Sequence, residues 1–170
     1  YAEAVKHIEE LYQAEGFLSV RVGPPSLERI GTRHATVNIP IVEGPRTRLH
    51  GVVLRGQELV SERELLVASG LTRDAPFSYL ALEQARLRIL DLYHERGHMF
   101  ARAVPSVRFS GDRTRAEITF EIVERFPVYV GDLVVRGADR TSVSFIESLL
   151  ELKKGDLFRP SKARASEAAL

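Results

Sequence analysis

Shifted by 81 residues, the chain matches itself without a gap, and this repeat constrains the fold more than any local pattern does. Tyr12 falls on Tyr93, Gly16 on Gly97, Pro24 on Pro105, Val42-Glu43 on Val123-Glu124, and Arg55-Gly56 on Arg136-Gly137. From Ala4/Ala85 to Gly56/Gly137, 14 of 53 pairs are identical, and pairs such as Val37/Ile118 and Ile39/Phe120 keep apolar on apolar. The offset runs on through Leu71/Leu152 and Phe77/Phe158. Chance does not align turn glycines, aromatic positions and strand alternation in one frame. By length alone the 170 residues read as one ordinary domain. A unit of about 80 residues has room for its own small core, so the repeat points instead to small domains in a row.

One unit can be read along residues 46–125. Leu49 to Arg55 is β-rich and closed by Gly56, and Leu133-Val134-Val135-Arg136-Gly137 repeats it; this is the first strand. Ser61-Glu62-Arg63-Glu64 has the form of a capping box, and the short helix it opens is broken at Gly70. Leu82, Ala85, Ile89, Leu92 and Tyr93 are spaced by three and four and predict an amphipathic helix stopped by Gly97. Its counterpart one unit earlier is Ala4, Ile8, Leu11 and Tyr12 before Gly16. Two strands follow: Met99 to Phe109, containing Pro105, and a strict alternation in which Ala116, Ile118, Phe120 and Ile122 face one side. Ser110 to Arg113 is hairpin-turn material.

The unit is thus strand, helix, helix, strand, strand. Residues 1–45 supply the long helix and last two strands of one unit, and 46–125 make a complete unit. Residues 126–170 supply the first strand, short helix and start of the long helix of a third. Each half lacks strands its sheet needs, which leaves two readings open: a shortened array, or halves completed by a neighbouring chain in a domain-swapped oligomer. Pro40 falls in the last strand of the first unit, so that strand is expected to end early or bulge.

Composition removes other classes. With 24 basic against 23 acidic residues the net charge is +1, and nothing electrostatic favours nucleic acid. No cysteine is present for disulfides, thiolate metal sites or thiol catalysis. No apolar run approaches the roughly 18 residues of a membrane-spanning helix. His94 and His98 are four apart, but Gly97 ends the helix between them, so no zinc-binding helical face results. No phosphate-binding or nucleophile-elbow motif occurs. An enzyme, a metal and a cofactor are all unexpected.

The order of elements, the Arg-Gly ends of the first strands, the Tyr-x-x-x-Gly close of the long helices (Tyr12 to Gly16, Tyr93 to Gly97) and Val42-Glu43-Gly44-Pro45 at the junction resemble the POTRA domain. Tandem POTRA modules resemble the periplasmic region of the Omp85 superfamily. The resemblance implies an α+β fold in which each β-α-α-β-β module has a three-stranded mixed sheet covered on one face by two antiparallel helices. It also implies a place on the periplasmic side of the outer membrane of a Gram-negative bacterium, ahead of a membrane β-barrel. The implied partners are unfolded outer-membrane polypeptides and accessory periplasmic lipoproteins. The second junction departs from the pattern: Val123-Glu124-Arg125-Phe126-Pro127 has no glycine, so it is expected to turn differently.

A three-stranded sheet leaves two edges open to pairing with an extended chain. Pro105, and Pro24-Pro25 in the matching stretch of the first unit, are best tolerated on an edge, which marks Met99 to Phe109 as the candidate binding strand. The residues assigned to it are Phe100, Arg102, Val104, Val107 and Phe109. The hinge residues are Glu43, Gly44 and Pro45 at the first junction and Glu124, Arg125 and Pro127 at the second. Each glutamate is expected to make a local hydrogen bond or a salt bridge, such as one to a nearby arginine, that sets the hinge, rather than to bind a partner, and Tyr12 and Tyr93 are expected to anchor the helix ends in the core. Two other functions fit the same residues: recognition of an exported substrate in a two-partner secretion transporter, and a passive spacer.

Overall fold

The computed structural model describes residues 2–30, 34–137 and 142–169. The complete unit is built from β5 (Arg48–Arg55), α2 (Glu62–Ser69), α3 (Tyr79–Glu95), β6 (Arg102–Phe109) and β7 (Arg115–Val123). Its sheet has the order β5-β7-β6. The hairpin sets β6 antiparallel to β7. β5 runs parallel to β7, because the Arg48 N–H donates to Thr114 O at 2.8 Å at one end and Gly56 abuts Ile122 O at the other. The sheet is therefore mixed, as the implied fold requires.

The elements begin and end where the sequence places the signals. Ser61 Oγ accepts from the Glu64 N–H at the start of α2. Glu64 does not complete a capping box; its carboxylate pairs with Arg96. α3 closes with Gly97 at φ +82, its N–H on His94 O at 2.9 Å and the His98 N–H on Tyr93 O at 3.0 Å. This Schellman turn recurs at Gly16, with bonds to Gln13 O and from Phe17 to Tyr12 O, at the end of α1 (Ala2–Ala14).

By proximity of Cα atoms the chain divides into two compact units, and both take residues from the central sheet. One comprises Tyr1–Val53, Gly70–Ala85 and Pro105–Thr119. Its buried apolar side chains include Leu49, Phe77, Leu82, Ala85, Ala116 and Ile118. In it β1 (Arg21–Val22) pairs with β4 (Ile41–Val42), and β2 (Ser26–Ile30) with β3 (His34–Asn38), all antiparallel. Each strand expected in residues 1–45 is therefore present but divided, at Gly23-Pro24-Pro25 and at Ile39-Pro40. The prolines remove ladder donors there, and the Gly23 N–H bonds to Pro40 O across the gap.

The other unit comprises Leu54–Ser69, Arg86–Val104 and Phe120–Leu170. It buries Leu54, Leu65, Ile89, Tyr93, Phe120 and Ile122, each worth roughly 1.5–3 kcal/mol on full burial. α4 (Val143–Leu149), capped by Ser142, and α5 (Pro160–Ala168) occupy the expected helical positions of the third repeat. One expectation fails: residues 133–137 form no strand. In the complete unit the equivalent strand, β5, lies beside β7, and the counterpart of β7 would fall past residue 170. Without a partner, β propensity alone does not make a strand.

Candidate functional site

β6 is one edge of the sheet, as its proline implies. The Ser110 N–H donates to Arg115 O beside the turn, and Arg108 meets Glu117 at 2.7 Å across the same pair of strands. With period-two alternation, the N–H groups of residues 104, 106 and 108 face β7, and those of 103, 107 and 109 face outward. Pro105 therefore leaves one gap in the open row of donors.

The five strand residues do not share one surface. Arg102 and Val104 point away from the core, with Val104 57% exposed. Phe100 precedes the strand and is 70% exposed. Val107 and Phe109 turn to the opposite face and are half-buried. Phe109 packs edge-on to Phe77 at 5.5 Å, with the Arg113 guanidinium over its ring. Phe109 is thus half-buried: it packs on Phe77 and also lines a surface cavity with His50, Arg108 and Glu117.

At the second junction Glu124 makes hydrogen bonds, to main chain and to a tyrosine, and, among the described residues, no salt bridge to an arginine. Its carboxylate accepts from the N–H groups of Glu58 at 3.0 Å and Leu59 at 2.9 Å, and from the Tyr93 hydroxyl at 2.8 Å. Partial burial pushes this carboxyl up, but the Glu58 and Leu59 N–H groups, then Tyr93 and the charge of His98, outweigh it and hold it below its ordinary value. The Tyr93 side chain is fully buried, and burial followed by the bond to Glu124 raises its hydroxyl pKa. Tyr12 and Glu43 repeat the pair: desolvation, then the charge and hydrogen bond of Glu43, push the Tyr12 hydroxyl up. His98 Nδ1 lies 3.0 Å from both Glu124 O and Arg125 O, so its ring belongs to this junction. Among the described residues no three His, Asp or Glu side chains are grouped to hold a metal.

The missing glycine does not send the second junction into a different region of backbone space. Arg125 takes φ +61, the left-handed region that Gly44 occupies at φ +74. Pro45 and Pro127 follow these turns, and next to Arg125 stands Phe126, 81% exposed, which sequence reasoning passed over. The signal was in the repeat register, where Phe126 replaces Pro45. Phe100, Ala101, Arg102, Arg125 and Phe126 line a surface groove of about 470 Å³.

Each junction also carries the same main-chain joint. The Thr47 N–H donates to Gly16 O at 2.8 Å and the Phe77 N–H to Thr47 O at 3.0 Å. In the next repeat the Val128 N–H donates to Gly97 O and the Phe158 N–H to Val128 O, both at 2.8 Å. All three positions of the joint are related by the 81-residue shift.

Residues 47–125 match the POTRA family, described as a surface antigen variable number repeat. This segment, with its β-α-α-β-β order and mixed three-stranded sheet, is a POTRA domain. Within that class the chain is BamA-like. It is 30% identical over 129 residues to a putative outer membrane protein assembly factor of Treponema pallidum, a match covering 75% of this chain and 15% of that protein. It is 25% identical over 138 residues to the outer membrane protein assembly factor BamA of Nitratidesulfovibrio vulgaris, covering 79% and 17%. The chain thus spans less than a quarter of the length of these relatives. In fold it resembles BamA POTRA3-5 of Haemophilus influenzae, with a TM-score of 0.66 and 16% identity over 99% of this chain and 67% of that one.

Proposed function

We propose that this chain is part of the periplasmic region of an outer-membrane protein assembly factor. In this reading it receives extended segments of unfolded outer-membrane polypeptides, and of accessory periplasmic lipoproteins, by strand addition along β6. Residues 1–45 and 126–170 are then parts of the neighbouring modules, and a membrane β-barrel follows further along the parent protein. The observation that carries this reading is the position of β6 at an edge, with an outward row of N–H groups and with Val104 and Arg102 facing outward. Main-chain pairing is largely indifferent to client sequence, and a receiver of many barrel precursors needs that tolerance. The named roles of the relatives support the same class of work.

The test is titration of the isotope-labelled chain with peptides taken from barrel strands. Amide shifts are expected along residues 102–109, with protection of the outward N–H groups from exchange. Shifts confined to the other sheet edge, β5, or no shifts at millimolar peptide, would refute strand addition at β6. The second of these outcomes would leave the module as a spacer.

A further inference from the structure

The groove beside Phe126 has a chemistry that strand addition does not use. Phe100 and Phe126, both largely exposed, line it together with Arg102 and Arg125. No described residue pairs with either guanidinium through its side chain, and no carboxylate lines the groove. Nearby carboxylates are engaged elsewhere, Glu124 with Tyr93 and main chain, and Glu121 with Arg55.

The first junction carries no such surface. The repeat places Ser19 where Phe100 stands, Gly44 where Arg125 stands and Pro45 where Phe126 stands. Ser19 there packs closely against Gly44, at 3.3 Å from where a Cβ would sit. Arg125 meanwhile holds a left-handed backbone that its counterpart fills with glycine. A non-glycine residue is seldom kept in that region, and such outliers cluster at ligand-binding and catalytic sites.

We propose that this groove is a second recognition site, for a peptide segment bearing an aromatic or large apolar side chain next to an acidic one. The apolar group packs on Phe100 and Phe126, and the carboxylate takes the guanidinium groups of Arg102 and Arg125, which suit planar two-oxygen acceptors. The occupant is a protein segment rather than a lipid surface, because two phenylalanines and two arginines around one groove of about 470 Å³ match an apolar and an acidic side chain of a single segment. The proposal shares residues 100 and 102 with the strand-addition reading, but it needs no main-chain pairing and stands if that reading fails.

The experiment uses an end-capped octapeptide with a central Asp-Phe-Glu, a Gln-substituted analogue, a Lys-substituted analogue, and a version N-methylated at alternate residues so that it cannot pair as a strand. Binding is followed by fluorescence anisotropy and by the shifts of Phe100, Arg102, Arg125 and Phe126. The acidic peptide is expected to bind at least tenfold more tightly than the Gln and Lys analogues, to weaken as salt rises, and to survive N-methylation. Arg125→Gly supplies the residue the repeat holds at this turn, so its fold is expected to persist while affinity falls at least fivefold. Phe126→Ser is expected to behave alike. Equal affinity for acidic and Lys peptides, unchanged affinity in both variants, or binding only to anionic phosphatidylglycerol vesicles would overturn the proposal. Loss of binding on N-methylation would assign the contact to strand addition and overturn it too.

Discussion

The Tyr93–Glu124 pair shows how one carboxylate can organise a turn. Glu124 ties the loop at Glu58 and Leu59 to the buried end of α3. Because its pKa is lowered in the folded state, it contributes stability that is fully present above the unfolded value of about 4.5 and is lost as pH falls through the lower folded value. Glu124→Gln is therefore expected to lose stability at pH 7 and to flatten the acid limb of a urea-midpoint profile between pH 5 and 3. Tyr93→Phe keeps the buried ring and removes one donor. Its expected cost is about 1 kcal/mol by urea unfolding, with the acid limb moved to higher pH. An unchanged profile in Glu124→Gln would show that other carboxylates govern acid unfolding. The identity of this pair was legible in the repeat, since both tyrosines and both glutamates recur. Its partners were not, because the Glu58 and Leu59 N–H groups lie 66 and 65 residues away in sequence and main-chain donors leave no mark on composition.

At the level of elements, the sequence read best where a single residue type is forced. The Arg-Gly end of the first strand is such a place. Gly56 has φ +82, and a Cβ there would collide with Ile122 O at the end of β7. Gly56→Ala is expected to cost at least about 1–2 kcal/mol from the backbone alone, with the collision added. Gly111, with nothing within 4 Å of its Cβ position, is the matched control, and Gly111→Ala is expected to shift the thermal midpoint little. Equal effects at the two glycines would contradict the parallel approach of β5 to β7. The sequence misled where an element depends on a distant partner. Leu133 to Gly137 has the composition of β5 but no strand beside it, and Arg125 adopts a conformation that no preference of arginine foretells. The division of Val104 and Phe109 between opposite faces was not legible for a related reason. Alternation fixes that neighbours on a strand face opposite ways, but not which set meets the helices.

For the whole molecule, protection from hydrogen exchange should follow the sheet rather than hydrophobicity along the chain. Amides of β7, paired on both sides, are expected to exchange slowest, while those of Leu133 to Arg136 exchange fast despite an equally apolar sequence. Slow exchange at residues 133–136 in a dilute, monomeric sample would show a strand partner that the architecture described above lacks. If protection appears there only as concentration rises, a second chain supplies the partner. The joints have a different kind of consequence. A glycine carbonyl at the end of one long helix receives a backbone N–H of the next repeat, and the same exchange recurs 81 residues later. Backbone groups belong to every residue, and Thr47 and Val128 already serve interchangeably as donors. A duplicated gene segment of one period would therefore arrive with its coupling already in place, so the number of repeats could change over evolutionary time without any new interface having to be invented.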